Sequence, residues 1–151
     1  MKYDNIIKYF ETDEGVTELL NKLKVDYFDI IDDYNQQIIQ NIISTTDELR
    51  QAKTVLTGLY SSLQPIYSKA LSLKKQKEYR YYAEKKQESV ANGTKFVDGS
   101  TTTEAKDAVS IYRDVRDIIC GYLKSAESLM YDCKDRIEQN RKEYHNTQEE
   151  N

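Results

Sequence analysis

Apolar residues recur along this chain at steps of three and four, and those steps predict helices. The most regular run is Leu49, Ala52, Leu56, Leu59, Leu63, Ile66, Ala70 and Leu73. Alternating three- and four-residue steps keep these side chains on one seam, a heptad repeat sustained over about three and a half heptads. Pro65 falls inside the seam. Proline removes a backbone donor and crowds the preceding turn, so a kink or short break is expected near residue 65. Upstream, from Asp13, a second pattern passes through Leu20, Tyr27, Ile31, Tyr34, Ile38 and Ile42. A break is expected near 44–46, where Thr45 and Glu48 have the spacing of a capping box. Residues 1–12 read as a short helix or lead-in, with Ile6, Ile7 and Phe10 on one side.

The helical pattern resumes through the residues after Leu73 and fades near residue 89. Residues 90–103, VANGTKFVDGSTTT, form the one clear loop. Asn92-Gly93 and Asp98-Gly99 both favour tight turns with positive φ. Residues 94–97 between them fit a flexible loop or a very short strand. Thr101 and Glu104 form a second capping box, expected to open a long helix over 104–145. Its apolar stripe reads Ala108, Ile111, Val115, Ile118, Tyr122, Ala126, Leu129, Cys133 and Ile137. Residues 146–151 read as a polar tail. The expectation is a single all-α domain over 1–151: a long hairpin of coiled-coil-like helices, 13–89 and 104–145, joined by one glycine-containing loop. Narrow apolar stripes of this kind are often buried by oligomerisation, so a homo-oligomer is expected.

Composition agrees with helix: one proline, five glycines and no tryptophan. Tyrosine is in excess, thirteen against three phenylalanines. Its apolar ring and polar tip suit half-buried faces and interfaces. The first residues, MKYDNIIKYFETDEG, hold no continuous apolar stretch, and nothing in the chain approaches a membrane span. A soluble, intracellular protein is expected. Cys120 and Cys133 fall on one predicted helix, about 20 Å apart at 1.5 Å per residue, too far for an intrachain disulfide.

Charge changes the picture more. The chain has a net charge of −4. Residues 1–50 carry 5 basic and 11 acidic residues, residues 51–100 carry 9 and 4, and residues 101–151 carry 8 and 11. The positive charge gathers in KKQKEYRYYAEKK: Lys74, Lys75, Lys77, Arg80, Lys85 and Lys86, interleaved with Tyr79, Tyr81 and Tyr82. On a helix Lys74, Lys77, Tyr81 and Lys85 share one stripe, and Lys75, Tyr79, Tyr82 and Lys86 share its neighbour. Cations neutralise phosphates, and aromatic faces stack bases regardless of sequence. The same residues also fit a plainer role, with tyrosines packed on a neighbouring helix and lysines in water.

Signals for catalysis are few. No HExxH, CxxC, P-loop, GxGxxG or GxSxG motif is present, and the one histidine, His145, stands in the polar C-terminal segment. Asp32-Asp33 point different ways on a helix. Asp114 and Asp117 share a face but stand beside Arg113 and Arg116, which favours surface ion pairs over a metal. The expectation is a non-enzymatic protein with no cofactor, no catalytic residue and no metal site.

Tandem Tyr81-Tyr82 after a basic helix, a loop with Phe96, then TEAKDAVSIYRDV and a long helix ending DCKDRIEQNRKEY, resemble the phage UvsY-type recombination mediators. The resemblance spans roughly residues 74–144. Tyr81, Tyr82, Phe96, Glu104, Lys106, Ser110, Asp114, Val115, Asp132 and Cys133 carry it. It implies a small helical protein that assembles into a ring, binds single-stranded DNA and helps load a RecA-like recombinase in a phage-infected bacterial host. Lys74, Lys75 and Lys77 match the neighbourhood of that family's DNA contacts. The acidic residues 1–48 have no counterpart there. The alternative class is a structural or interaction protein, such as a virion component, an assembly adaptor or an anti-defence inhibitor. It would meet a protein partner through acidic residues 11–33.

Overall fold

The computed structural model describes residues 8–149. Ile6 and Ile7, assigned above to a leading helix, lie outside them. The described chain is all-α, with no strand. Helix α1 spans Asp13–Leu23, a π-helical turn follows over Lys24–Phe28, and α2 spans Asp29–Ile39. Helix α3 is Thr46–Ala91, α4 is Asp98–Asp107 and α5 is Ser110–Glu149. Contacts group the chain into two compact units. The first holds the described residues up to Leu20 with Ile66–Ile118, the second Asn21–Pro65 with the described residues from Ile119 on.

Helix ends in this chain follow local chemistry. At the start of α1 the Thr12 hydroxyl accepts the Gly15 N–H at 3.0 Å. A Cβ on Gly15 would stand 2.7 Å from the Tyr9 carbonyl oxygen, so glycine is needed for this close approach. Before α3 the capping box forms as its spacing predicts. The Thr45 N–H donates to Glu48 Oε2 at 3.1 Å, and the Glu48 N–H donates to Thr45 Oγ1 at 3.3 Å. Helices α2 and α3 both end in left-handed residues. Asn41 has φ 59° and Gly93 has φ 64°. Beyond each, an N–H reaches back five residues, Ile42 to the Gln37 carbonyl and Thr94 to the Ser89 carbonyl, both at 2.9 Å. These are Schellman closures, which satisfy carbonyls that a helix end leaves without partners.

In the second unit α2 lies beside α5, in the same direction. Phe28 stacks on Tyr122 at 4.0 Å between centroids and 6° between planes. Farther along, Arg136 donates to the Ile38 carbonyl at 3.0 Å and to Asn41 Oδ1 at 2.9 Å. The first part of α3 runs opposite to α5, with the Thr57 hydroxyl oxygen 3.1 Å from the Met130 sulfur. Leu49, Ala52, Leu56 and Leu63 of α3 are buried with Ile119, Leu123, Ala126, Leu129 and Cys133 of α5. In the first unit Phe10, Val16, Leu19, Ile66, Ala70, Ala105, Val109, Tyr112 and Val115 are buried, with Phe10 stacked on Tyr112 at 6.3 Å.

Several expectations need correction. Helix α3 is unbroken at Pro65. Pro65 and Ser61, whose carbonyl loses its usual donor, are both exposed, so water can serve that carbonyl. The N-terminal pattern is not one continuous α-helix. The π turn, in which the Asp29 N–H bonds the Lys24 carbonyl, inserts an extra residue. It shifts the buried stripe from Leu23 to Tyr27 and Phe28, while Ile42 is exposed. The loop is shorter than 90–103, because Asp98-Gly99 opens α4 instead of turning. Aspartate suits the positive end of that helix, and Val97 before it is extended. Thr101 is therefore inside α4, and its hydroxyl bonds the Val97 carbonyl at 2.9 Å in place of capping with Glu104. The expected helix 104–145 is two helices separated at Ala108 and Val109. Of the expected stripe Val115, Ala126, Leu129, Cys133 and Ile137 are buried, whereas Val109, Tyr112, Ile119 and Leu123 are buried in place of Ala108, Ile111, Ile118 and Tyr122. Residues 146–149, read as tail, continue α5.

Two predictions follow from the helix ends. Gly93→Ala meets no neighbouring atom, so its cost is the left-handed backbone alone, about 1 kcal/mol in urea unfolding. The bonds from the Thr45 side chain and backbone hold the Glu48 carboxyl below its ordinary range. That stabilisation is present above the ordinary carboxylate pKa and fades as pH falls through the lowered one. The stability gap between wild type and Glu48→Gln should therefore narrow on acidification, and a constant gap from pH 7 to pH 3 would contradict the capping assignment.

Candidate functional site

The basic-aromatic segment occupies the last part of α3, within the first unit. Its helical character needs no special cause, since Lys, Gln, Glu, Arg and Ala lose little rotamer freedom in a helix. Helical periodicity then divides eight of the nine candidate residues into two stripes with different surroundings and leaves Arg80 on a flank of its own.

The stripe of Lys74, Lys77, Tyr81 and Lys85 is turned toward protein. Lys74 pairs with Glu78, and both side chains are largely covered. Lys77 donates to the Tyr112 hydroxyl, and its ammonium lies 4.1 Å from the centre of that ring. Lys85 pairs with Glu88 at 2.8 Å and stands 5.8 Å from the centre of the Tyr81 ring. The hydrogen bond from Lys85 to Glu88, reinforced by that negative charge, raises the Lys85 pKa. These three cations already have internal partners, which lowers what they can offer to a ligand.

The other stripe faces outward. Lys75 and Lys86 are exposed, and Tyr79 between them is 75% exposed. Tyr82, on the same stripe, is half-buried. Its ring meets Phe96 edge-on at 5.5 Å, and its hydroxyl donates to Asp98 at the start of α4. That hydrogen bond raises the Tyr82 pKa. Arg80 is exposed on the next flank. Lys75, Arg80 and Lys86 form no ion pair among the described residues. Lys75, Tyr79 and Tyr82 line a shallow groove of about 340 Å³ with Thr102 and Ala105 of α4. Lys77, Arg80 and Tyr81 line another of about 310 Å³, which also holds Asp13 and Glu84. Asp13 and Glu84 thus set negative charge beside one flank of the basic segment, and the Lys75–Tyr79–Lys86 stripe faces away from them.

The acidic candidates resolve individually. Asp32 accepts the Tyr122 hydroxyl at 2.9 Å, and Asp33 accepts the Gln37 amide at 2.6 Å. Burial first, then the Asp32 bond, raises the Tyr122 pKa. Arg116 pairs with Asp117 at 2.6 Å, while Arg113 donates to the Lys106 carbonyl. Glu11, Asp13, Glu14, Glu18, Asp26, Asp29, Asp32 and Asp33, the acidic residues of 11–33, are all exposed. Among the described residues no group of three His, Cys, Asp or Glu could hold a metal ion. No helix among them is long and apolar enough to cross a membrane. His145 is exposed on α5, and Cys133 is buried, which raises its thiol pKa. No family model, curated protein or solved structure matches this chain.

Sequence reasoning treated Tyr79, Tyr81 and Tyr82 alike, and their surroundings differ. Tyr82→Ala removes the Phe96 contact and the Asp98 bond and should cost about 1–3 kcal/mol of stability. Tyr79→Ala, at an exposed position, should stay within about 0.5 kcal/mol. Thermal melts of the two variants check this, and equal losses would place Tyr79 in the packing too.

Proposed function

We propose that this protein is a non-enzymatic accessory protein that binds single-stranded nucleic acid. The observation that carries the reading is the outward stripe on α3: Lys75 and Lys86 flank the exposed ring of Tyr79, and Arg80 is exposed about 100° round the helix on the flank toward Asp13 and Glu84. Lys75 and Lys86 are separated by about 16 Å of helix, a short reach of extended backbone. In this reading the three cations hold phosphates and Tyr79 stacks a base. Lys74, Lys77, Lys85 and Tyr81 support the surface from behind, and Tyr82 borders it. The resemblance to UvsY-type mediators extends the proposal: the ligand would be single-stranded DNA, the working form a homo-oligomer, and the task the loading of a RecA-like recombinase in a phage-infected cell.

A second reading has its own observation. Val25 and Ile30 are exposed among Asp26, Asp29 and Asp33, which suits contact with a basic protein partner. In that case a structural or anti-defence role would use the acidic segment 11–33.

Fluorescence anisotropy with a labelled oligothymidine separates the two. Three phosphate-holding cations give a salt slope of about −2, so affinity should fall about 20-fold between 50 and 200 mM salt. Tyr79→Ala should weaken binding by about 1–3 kcal/mol. The triple variant K75E/R80E/K86E should bind at least about tenfold more weakly. No binding at tens of micromolar protein, or affinity indifferent to salt, would refute the reading and favour the acidic surface.

A further inference from the structure

A second basic groove lies in the other unit, on residues that are scattered in the sequence. Arg50 and Lys53 on α3 and Lys134 and Arg141 on α5 line an open groove of about 710 Å³. Lys53 and Lys134 also line an adjoining hollow of about 240 Å³ with Tyr60 and Tyr131. Cations and rings therefore meet along one surface, as they do on the outward stripe of α3. Tyr131 is 62% exposed, more than a ring used only for packing.

The negative groups near these cations do not cancel them. Arg50 pairs with Asp47 at 2.9 Å, but the Asp47 side chain is 85% exposed and draws that contact toward water. Lys134 and Glu138 are 4.0 Å apart, a loose ion pair. Glu138 and Glu127 are the carboxylates that line the groove and the hollow. Lys53 and Arg141 form no ion pair among the described residues. The Thr54 and Thr57 hydroxyls, also in the groove, donate to the Arg50 and Lys53 carbonyls at 2.9 and 2.8 Å.

We infer that this groove is a second binding surface for single-stranded nucleic acid. Arg50, Lys53, Lys134 and Arg141 hold backbone phosphates, and Tyr131, with Tyr60 behind it, stacks a base. Positive charge alone would suit an acidic protein equally well. The rings beside Lys53 and Lys134 favour bases, because aromatic stacking is the part of single-strand binding that an acidic peptide does not use. The inference rests on the single-strand reading above but places contacts on residues that reading does not involve.

The test is anisotropy with the same labelled oligothymidine on three proteins: wild type, K53E/R141E and Y131A. A parallel arm cross-links a bromodeoxyuridine oligonucleotide to wild type by ultraviolet light and maps the attached peptides. Tyr131 and Arg141 are exposed and Lys53 is half-buried, and circular dichroism melts establish that both variants fold. The expected results are affinity at least about tenfold lower for K53E/R141E, at least about fivefold lower for Y131A, and cross-links at Tyr131 or Tyr60. Wild-type affinity in both variants overturns the inference. If K75E/R80E/K86E then abolishes binding, the single-strand reading survives and only the second surface is lost. If wild type itself does not bind, both fail together. Sedimentation without oligonucleotide supplies the remaining arm. A change of oligomeric state in K53E/R141E would assign the groove to self-association and overturn its nucleic-acid role.

Discussion

The fold depends on burying apolar stripes that are one or two side chains wide. A helix of this composition is polar on most of its surface, so its stability comes from packing that narrow face. Small residues make the packing close. Ala52 and Ala126 are buried in the second unit, and Ala70 and Ala105 in the first. An alanine at a contact lets helix axes approach toward the short end of the usual range. Any register error costs more here than in a broad core, because there is no second row of apolar residues to take over.

That constraint explains where the helices depart from regularity. A continuous α-helix from Asp13 to Ile39 would carry its stripe around the axis and off the core. The π turn inserts a residue at the point where Tyr27 and Phe28 are both buried, and the stripe continues at Ile31 and Ile38. The Lys24–Asp29 pair, at 2.7 Å across five residues, fits the wider turn. The break at Ala108 and Val109 does the same for α5. In each case a backbone irregularity is exchanged for correct burial, and the side chains beside it, Tyr122 on Phe28 and Tyr112 on Phe10, close the contact with a ring.

What could be read from the sequence divides along the same line. The heptad run on α3 was legible because its apolar residues are contiguous in pattern, and Leu49, Ala52, Leu56, Leu63, Ile66 and Ala70 are buried. Thr45 and Glu48 were legible because a capping box is a local device. Thr101 and Glu104 have the same spacing and do not cap, because Asp98 starts the helix three residues earlier. Spacing alone does not say which of two acceptable starts a chain uses. The first part of the C-terminal stripe was illegible for a different reason, while its later residues Ala126, Leu129, Cys133 and Ile137 are buried as the pattern predicts. Val109 and Ala108, or Ile119 and Ile118, are neighbours of similar polarity, and only the packing of the folded unit chooses between them.

Charge shows the limit most sharply. A run such as Lys74 to Lys86 draws the eye because its cations are adjacent in the chain. Adjacency on a helix also places carboxylates at i+3 and i+4, and Glu78 and Glu88 there engage Lys74 and Lys85. Density of charge in a sequence is therefore partly self-cancelling on a helix. Lys53 and Lys134 show the converse: neither belongs to a basic run, yet folding sets them on one groove. A polyanion responds to cations that remain exposed and loosely paired once helices have packed. By that criterion the candidate surface shrinks from nine residues to Lys75, Tyr79, Arg80 and Lys86, and the opposing faces of α3 and α5 become as strong a claim on a phosphate backbone as the segment that first drew attention.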